Sequence, residues 1–235
     1  RALGGIKGVP RLYGCGSVDG APAIVMEWID GITLAQAARQ LAVDDAHRMS
    51  SLTVARLGRD LFDVLARFDA LDEGFVHRDI SPSNVMVRTA HLSVEQQEEE
   101  GAFDLCLVDF GSATALQQGK RGSFTDSVGA VRFATPNYAP PEMLTNDISG
   151  IASLRQSASV DMYAAASVLF ELATGSVPFD LDGSAEHAEE PSRDRTGNDE
   201  HTSQEGEGQS GTASPYLIKS NSSPRAFLGA HEVAP

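Results

Sequence analysis

The sequence predicts an α+β fold: a small sheet at the front, helices behind it, and an acidic segment at the end. Three observations predict it. Residues 1–179 alternate apolar runs with glycine and proline punctuation, whereas later residues do not. Residues 53–71 and 159–174 have the length and apolar content of helices. Apolar runs at 23–26, 85–87 and 105–108 are too short for helices and are set among turn residues, which suits strands.

Taken in order, Arg11-Leu12-Tyr13 and Ala23-Ile24-Val25-Met26 read as partner strands, the second buried, with Gly14-Cys15-Gly16 as the hairpin turn. Thr33 to Leu41 reads as a short helix in which the Thr33 hydroxyl accepts from the first free N–H groups. Val54, Leu57, Leu61, Val64, Leu65, Phe68 and Leu71 recur every three or four residues, so 53–71 is an amphipathic helix. Val85-Met86-Val87 and Leu105-Cys106-Leu107-Val108 form a second strand pair, and the acidic run Glu95 to Glu100 between them reads as a solvated loop. Residues 159–174 are apolar on almost every side, which predicts a helix buried all round, ended by Gly175 and stopped by Pro178.

Composition narrows the function classes. With 235 residues and 41% hydrophobic content the chain can build a real core. A net charge of −15 argues against nucleic acid or an anionic membrane as the main partner. Basic residues number 18, and only Lys7, Lys120 and Lys219 are lysines. Cys15 and Cys106 have no metal-ligand spacing and read as reduced packing thiols, which fits a cytoplasmic protein. No run approaches the roughly 20 apolar residues of a membrane span, and no signal peptide opens the chain. It starts at Arg1 rather than Met, which suggests a fragment. From Leu181 to about Gly211 the chain is mostly Ser, Gly, Glu, Asp and Thr, too polar to offset its ordering entropy. Tyr216-Leu217-Ile218 and Phe227-Leu228 are too isolated for a core, so 180–235 reads as an acidic, largely disordered tail.

The chemistry lies in His77-Arg78-Asp79-Ile80-Ser81-Pro82-Ser83-Asn84, followed after the strand pair by Asp109-Phe110-Gly111. Phosphoryl transfer from ATP asks for a carboxylate at the attacking hydroxyl and oxygen ligands for Mg²⁺ bridging the phosphates. Asp79 and Asn84 are five apart on a loop that ends in a strand, and Asp109 leaves the neighbouring strand, so the three can meet in one cleft.

Here the chain resembles the protein kinase family, whose H-R-D-x-x-x-x-N and D-F-G strings these match. The resemblance implies Asp79 as catalytic base, Asn84 and Asp109 as Mg²⁺ ligands, and His77 as a packing residue against Phe110. Ile24 to Gly31 resembles the last N-lobe strand and the hinge. Met26 would line the back of the adenine pocket, and the backbone of Glu27 and Ile29 would bond the adenine edge. Thr135-Pro136-Asn137-Tyr138-Ala139-Pro140-Pro141-Glu142 resembles the end of the activation segment, where peptide substrate docks, with Thr135 contacting the catalytic Asp. Asp161 matches the residue that anchors the catalytic loop. Met86, Leu34, Val168 and Leu172 fit the apolar column under the adenine, and equally an ordinary core. Arg78 could pair with a phosphorylated Ser123, Thr125 or Ser127, which could equally be unmodified loop hydroxyls.

Two departures from the family stand out. Ser81 occupies the place of a lysine that neutralises the transferred phosphate. No G-x-G-x-x-G precedes the hinge, Lys7 is misplaced for the lysine that grips the phosphates, and Glu27 is the first glutamate, so that lysine's helix partner is missing too. The resemblance therefore implies a partial kinase domain at 1–179, with an N-lobe and hinge remnant at 1–32 and a helical C-lobe at 33–179. The implied function is a serine/threonine protein kinase using ATP and Mg²⁺ on protein substrates. A kinase-like scaffold without turnover and a small-molecule kinase are the alternatives.

Overall fold

The computed structural model describes residues 5–71, 74–115, 134–146, 149–181 and 214–225. Strands β1 (Leu12–Val18) and β2 (Ala21–Met26) form an antiparallel hairpin. Its turn is Asp19-Gly20, both at positive φ (51° and 80°), the two-residue geometry whose twist matches paired strands. The expected turn, Gly14-Cys15-Gly16, instead lies inside β1. The expectation of a buried second strand is also overturned. Ile24, Val25 and Met26 are more than half exposed, because among the described residues this ribbon pairs with no third strand.

After the hinge, β3 (Gly31–Thr33), β5 (Val85–Arg88) and β6 (Leu105–Leu107) form an antiparallel sheet in the order β3-β5-β6. A second small pair joins β4 (Phe75–Val76) to β7 (Thr114–Ala115). Gly31 is needed where β3 crosses β5: a Cβ there would lie 2.2 Å from the Val87 carbonyl oxygen.

Helix α1 (Leu34–Gln40) starts as expected at Thr33, whose hydroxyl accepts from the Gln36 N–H while the Gln36 side chain returns to the Thr33 N–H. Helix α2 (Ser51–Asp69) starts two residues before the expected range because Ser50 caps it. Helix α5 (Ser159–Thr174) has the expected bounds, with Gly175 left-handed at φ 74° as its cap. Gly58 lets α2 approach α5, since a Cβ would sit 3.0 Å from Leu169. Leu57, Leu61, Val64 and Phe68 of α2 meet Val168 and Leu172 of α5, with Leu34, Val85 and Leu107 completing one buried core. A shorter helix, α4 (Ile151–Leu154), precedes α5.

The acidic run expected as a solvated loop is helix α3 (Val94–Glu100). Ser93 and Gln96 make a reciprocal cap at its start, and Gly101 ends it in the left-handed region at φ 74°. Two α2 side chains then satisfy carbonyls at its end: Arg56 donates to Glu98 O (3.0 Å) and Arg59 to Gly101 O (2.8 Å). Buried Gln97 ties the helix to the strand ends through Arg88 O and the Asp104 N–H.

A further helix, α6 (Pro215–Asn221), lies where only an isolated apolar patch was expected. It docks on the short 3-10 turn Pro141–Met143. Cys106 is a buried thiol pushed up to about 11 by its burial, as a packing residue should be, whereas Cys15 stands exposed on the hairpin. Among the described residues no helix is long and apolar enough to cross a membrane.

Candidate active site

The loop leaving β4 is held from below by one buried carboxylate. Asp161, in the first turn of α5, accepts the backbone N–H of His77 (2.7 Å) and of Arg78 (2.8 Å). Burial pushes its carboxyl up to about 6, against those two bonds and the nearby Arg78 charge, which favour the anion. Arg78 itself is buried and sits at φ 70°, a conformation a non-glycine residue adopts only when its surroundings impose it. Ile80 is fully buried and plugs the loop into the core.

This anchoring presents Asp79 upward. One carboxylate oxygen accepts from the Thr135 N–H (2.9 Å) and hydroxyl (2.8 Å), and the other from Asn84 Nδ2 (2.9 Å). Asn84 Nδ2 also donates to the Asp79 carbonyl (2.9 Å), leaving Oδ1 as its remaining ligand atom. The sheet register then brings the second carboxylate alongside. The Val108 N–H donates to the Asn84 carbonyl (2.9 Å), and Asp109 is the next residue, two past the end of β6. Asp109 is also left-handed, at φ 62°, and accepts from the Gly111 N–H.

His77 lies between the two loops. Its Nε2 bonds the Val108 carbonyl (3.0 Å) and its ring meets Phe110 edge-on at 4.8 Å, with Phe68 and Phe75 behind. Burial lowers its pKa, while the negative charges of both Asp79 and Asp109 work in the other direction. For Mg²⁺, Asn84 and Asp109 supply hard oxygen donors of the right type, and the remaining ligands would be phosphate and water oxygens. Among the described residues no cluster of three or more His, Cys, Asp or Glu forms a site by itself.

The hinge is braced by a pair that sequence reading did not single out. Arg88 at the end of β5 grips both oxygens of Glu27 (2.6 and 3.2 Å), and the Arg11 N–H adds a third bond (2.9 Å). The Arg88 hydrogen bond is the main reason that the Glu27 carboxyl falls to about 2. The Glu27 N–H is spent on the Arg11 carbonyl (2.8 Å), so its own carbonyl is what remains for an adenine edge. Ile29 is buried beside it, Met26 is half exposed at the end of β2, and Met86 is half buried on β5. Leu34, Val168 and Leu172 belong to the core. Ser81, expected in the catalytic set, is almost fully buried in the loop, where its carbonyl accepts the Asn84 N–H. Ser123, Thr125 and Ser127 lie outside the described residues.

The 135–142 segment, where substrate was expected to dock, is tied down more heavily than the sequence suggested. Tyr138 donates to Glu171 (2.7 Å). Arg155 donates to the carbonyls of Glu142 (2.7 Å) and Thr145. Lys219 of α6 reaches the segment from below. A hollow of about 720 Å³ lined by Lys7, Arg11, Glu27, Trp28, Arg88 and Phe103 includes none of Asp79, Asn84 or Asp109.

Small antiparallel sheets backed by helices make an α+β domain, and in it one loop holds Asp79 against Asn84 and against Thr135 of a distant segment. The chain belongs to the protein kinase domain family, whose model matches residues 6–218. It is 30% identical over 171 residues to the probable serine/threonine-protein kinase PknB of Lactococcus lactis, covering 71% of this chain and 22% of that protein. It is 31% identical over 157 residues to the serine/threonine-protein kinase PkaB of Streptomyces coelicolor (67% and 32%). To PrkC of Bacillus subtilis it is 28% identical over 172 residues (73% and 22%). The chain therefore spans between 22% and 32% of the length of these relatives.

Proposed function

We propose that this chain carries the catalytic part of a serine/threonine protein kinase that moves the γ-phosphate of ATP to protein hydroxyls. The observation that carries the reading is the position of Asp79. Its carboxylate is held at once by Thr135, from the segment where substrate would dock, and by Asn84, from the candidate metal pair.

In this reading the incoming hydroxyl hydrogen-bonds Asp79, which orients it and takes its proton as the bond to phosphorus forms. Asn84 and Asp109 would hold Mg²⁺, which would supply neutralisation of charge on the phosphates. Thr135 and Asn84 keep the Asp79 carboxylate in one rotamer, so its reach to the hydroxyl needs no rearrangement. The carbonyl of Glu27 and the backbone of Ile29 would meet the adenine edge, with Met26 at the back of the pocket and Met86 under the ring. Ser81 in the lysine position contributes no charge. Arg78 pairing with a phosphorylated Ser123, Thr125 or Ser127 belongs to the same proposal.

We also place the end of the domain beyond residue 179. Helix α6 packs under the docking segment and the family match runs to 218, so 182–213 is better treated as an acidic insertion than as part of a tail.

One observation favours the scaffold alternative. Of the two lysines among the described residues, Lys7 lines a hollow that includes neither Asp79 nor Asp109, and the Lys219 ammonium is spent on the carbonyls of the 136–139 turn. Calorimetric titration with Mg·ATP and transfer of labelled phosphate, with the chain and with the full protein that carries it, separate the two readings. We expect weak binding and negligible transfer for residues 1–235 alone. In the full protein, Asp79→Asn should lower kcat by roughly 10²–10⁴ with nucleotide affinity little changed. Equal loss of both would argue against a base role.

A further inference from the structure

Lys219 has a setting unusual for lysine. It sits on α6 at 6% exposure, and its Nζ donates to the carbonyls of Pro136 (2.6 Å), Asn137 (3.0 Å) and Ala139 (2.7 Å). An ammonium has three N–H donors and no acceptor, so every donor it has is spent on one turn of backbone. The rings of Tyr163 and Phe179 flank the cation, each with its centroid 5.6 Å away. Burial lowers its pKa to about 8, so it still carries its charge at neutral pH.

The turn explains why a cation fits there. The N–H groups of Tyr138 and Ala139 both point back to the Thr135 carbonyl (3.1 and 3.0 Å). The carbonyls of residues 136, 137 and 139 are left without a place in that turn, as at the end of a helix, where positive charge is favoured. The same turn carries Thr135, whose N–H and hydroxyl fix Asp79. Helix α6 has its own attachment beyond Lys219: the Arg225 N–H donates to the Pro178 carbonyl (2.8 Å) and its guanidinium pairs with Asp180 (3.4 Å).

We infer that Lys219 is a positioning residue, and that α6, by capping the 136–139 carbonyls with this one ammonium, sets the shape in which the docking segment accepts a protein substrate. The effect on turnover rests on the kinase reading above; the effect on the segment itself does not.

The test is amide hydrogen exchange across 134–139 in the full protein, with Lys219→Met, Lys219→Arg and the α2 amides as internal control. Methionine keeps the stem and removes the donors. Arginine keeps the charge, but its planar fork cannot bring three N–H groups to one point. We expect at least about tenfold faster exchange at Tyr138 and Ala139 in the methionine variant and an intermediate value in the arginine variant, with α2 unchanged. We expect KM for protein substrate to rise about tenfold while KM for ATP stays within about twofold. Unchanged exchange at 134–139 overturns the inference even if the protein is active. Faster exchange in a protein that transfers no phosphate keeps the inference and sinks the kinase reading instead. If the methionine variant fails to fold, the arginine variant decides: unchanged exchange and an unchanged substrate KM overturn it.

Discussion

Replacing Asp161 with Asn separates what this carboxylate does for the loop from what it does for stability. In the folded chain its pKa rises from an ordinary 3.8 to about 6 because it is buried. Keeping it charged at neutral pH therefore costs about 3 kcal/mol relative to water, at about 1.4 kcal/mol per tenfold change in proton affinity. An asparagine avoids that cost. Its single oxygen can accept only one of the two N–H groups of His77 and Arg78, and its own N–H₂ then faces the other. Losing one bond to a charged acceptor costs about 1.5–3 kcal/mol. At about pH 7.5 the two effects nearly cancel, so Asp161→Asn should change the unfolding free energy by no more than about 1–2 kcal/mol.

The cancellation should fail on acidification. Because the folded pKa is the higher one, the native state takes up the proton first, and stability from this group rises as pH falls from about 6 towards 3.8. At about pH 4.5 wild type should have recovered about 2 kcal/mol that the variant cannot, which urea unfolding at both pH values would resolve. Amide exchange at a single neutral pH should meanwhile show His77 and Arg78 less protected in the variant. A wild-type-minus-variant difference that is the same at both pH values would refute the buried-charge reasoning. Undiminished protection of both amides would refute the anchor.

Two further predictions follow from the sheet and the hinge. Gly31→Ala must push β3 from β5, since its Cβ would meet the Val87 carbonyl at 2.2 Å; a loss of about 1–3 kcal/mol, read as a Tm several degrees lower, is expected, and an unchanged melt would show that the strands separate freely. Arg88→Met should return the Glu27 carboxyl from about 2 towards its ordinary value, visible in an NMR titration; the pair's contribution is present above about 4.5, is lost as pH falls through about 2, and stays within about 1 kcal/mol because the pair is partly exposed.

The elements read correctly from sequence are those whose causes are local. The bounds of α5 follow from an apolar run and Gly175, and α1 from Thr33 and its own first turn. The contact of Asp79 with Asn84 was legible because order along the chain carries it: the two share one loop. The hairpin turn at Asp19-Gly20 differs from the expected Gly14-Cys15-Gly16, although Asp-Gly is itself a strong two-residue turn signal.

What the sequence alone determined, then, was the class of fold, helices α1, α2 and α5, and the meeting of Asp79 with Asn84 and Thr135. Tertiary structure decided the rest, because the deciding partners are distant. Helix α3 has local caps in Ser93, Gln96 and Gly101, but Arg56 and Arg59 close its last carbonyls from 42 residues away, and α6 is held since Lys219 finds carbonyls 80–83 residues earlier. The exposure of β2 likewise depends on which strands lie beside it, not on its own apolar residues. A local pattern can state what a segment prefers; only the folded chain supplies the groups that satisfy, or leave open, its polar ends and apolar faces.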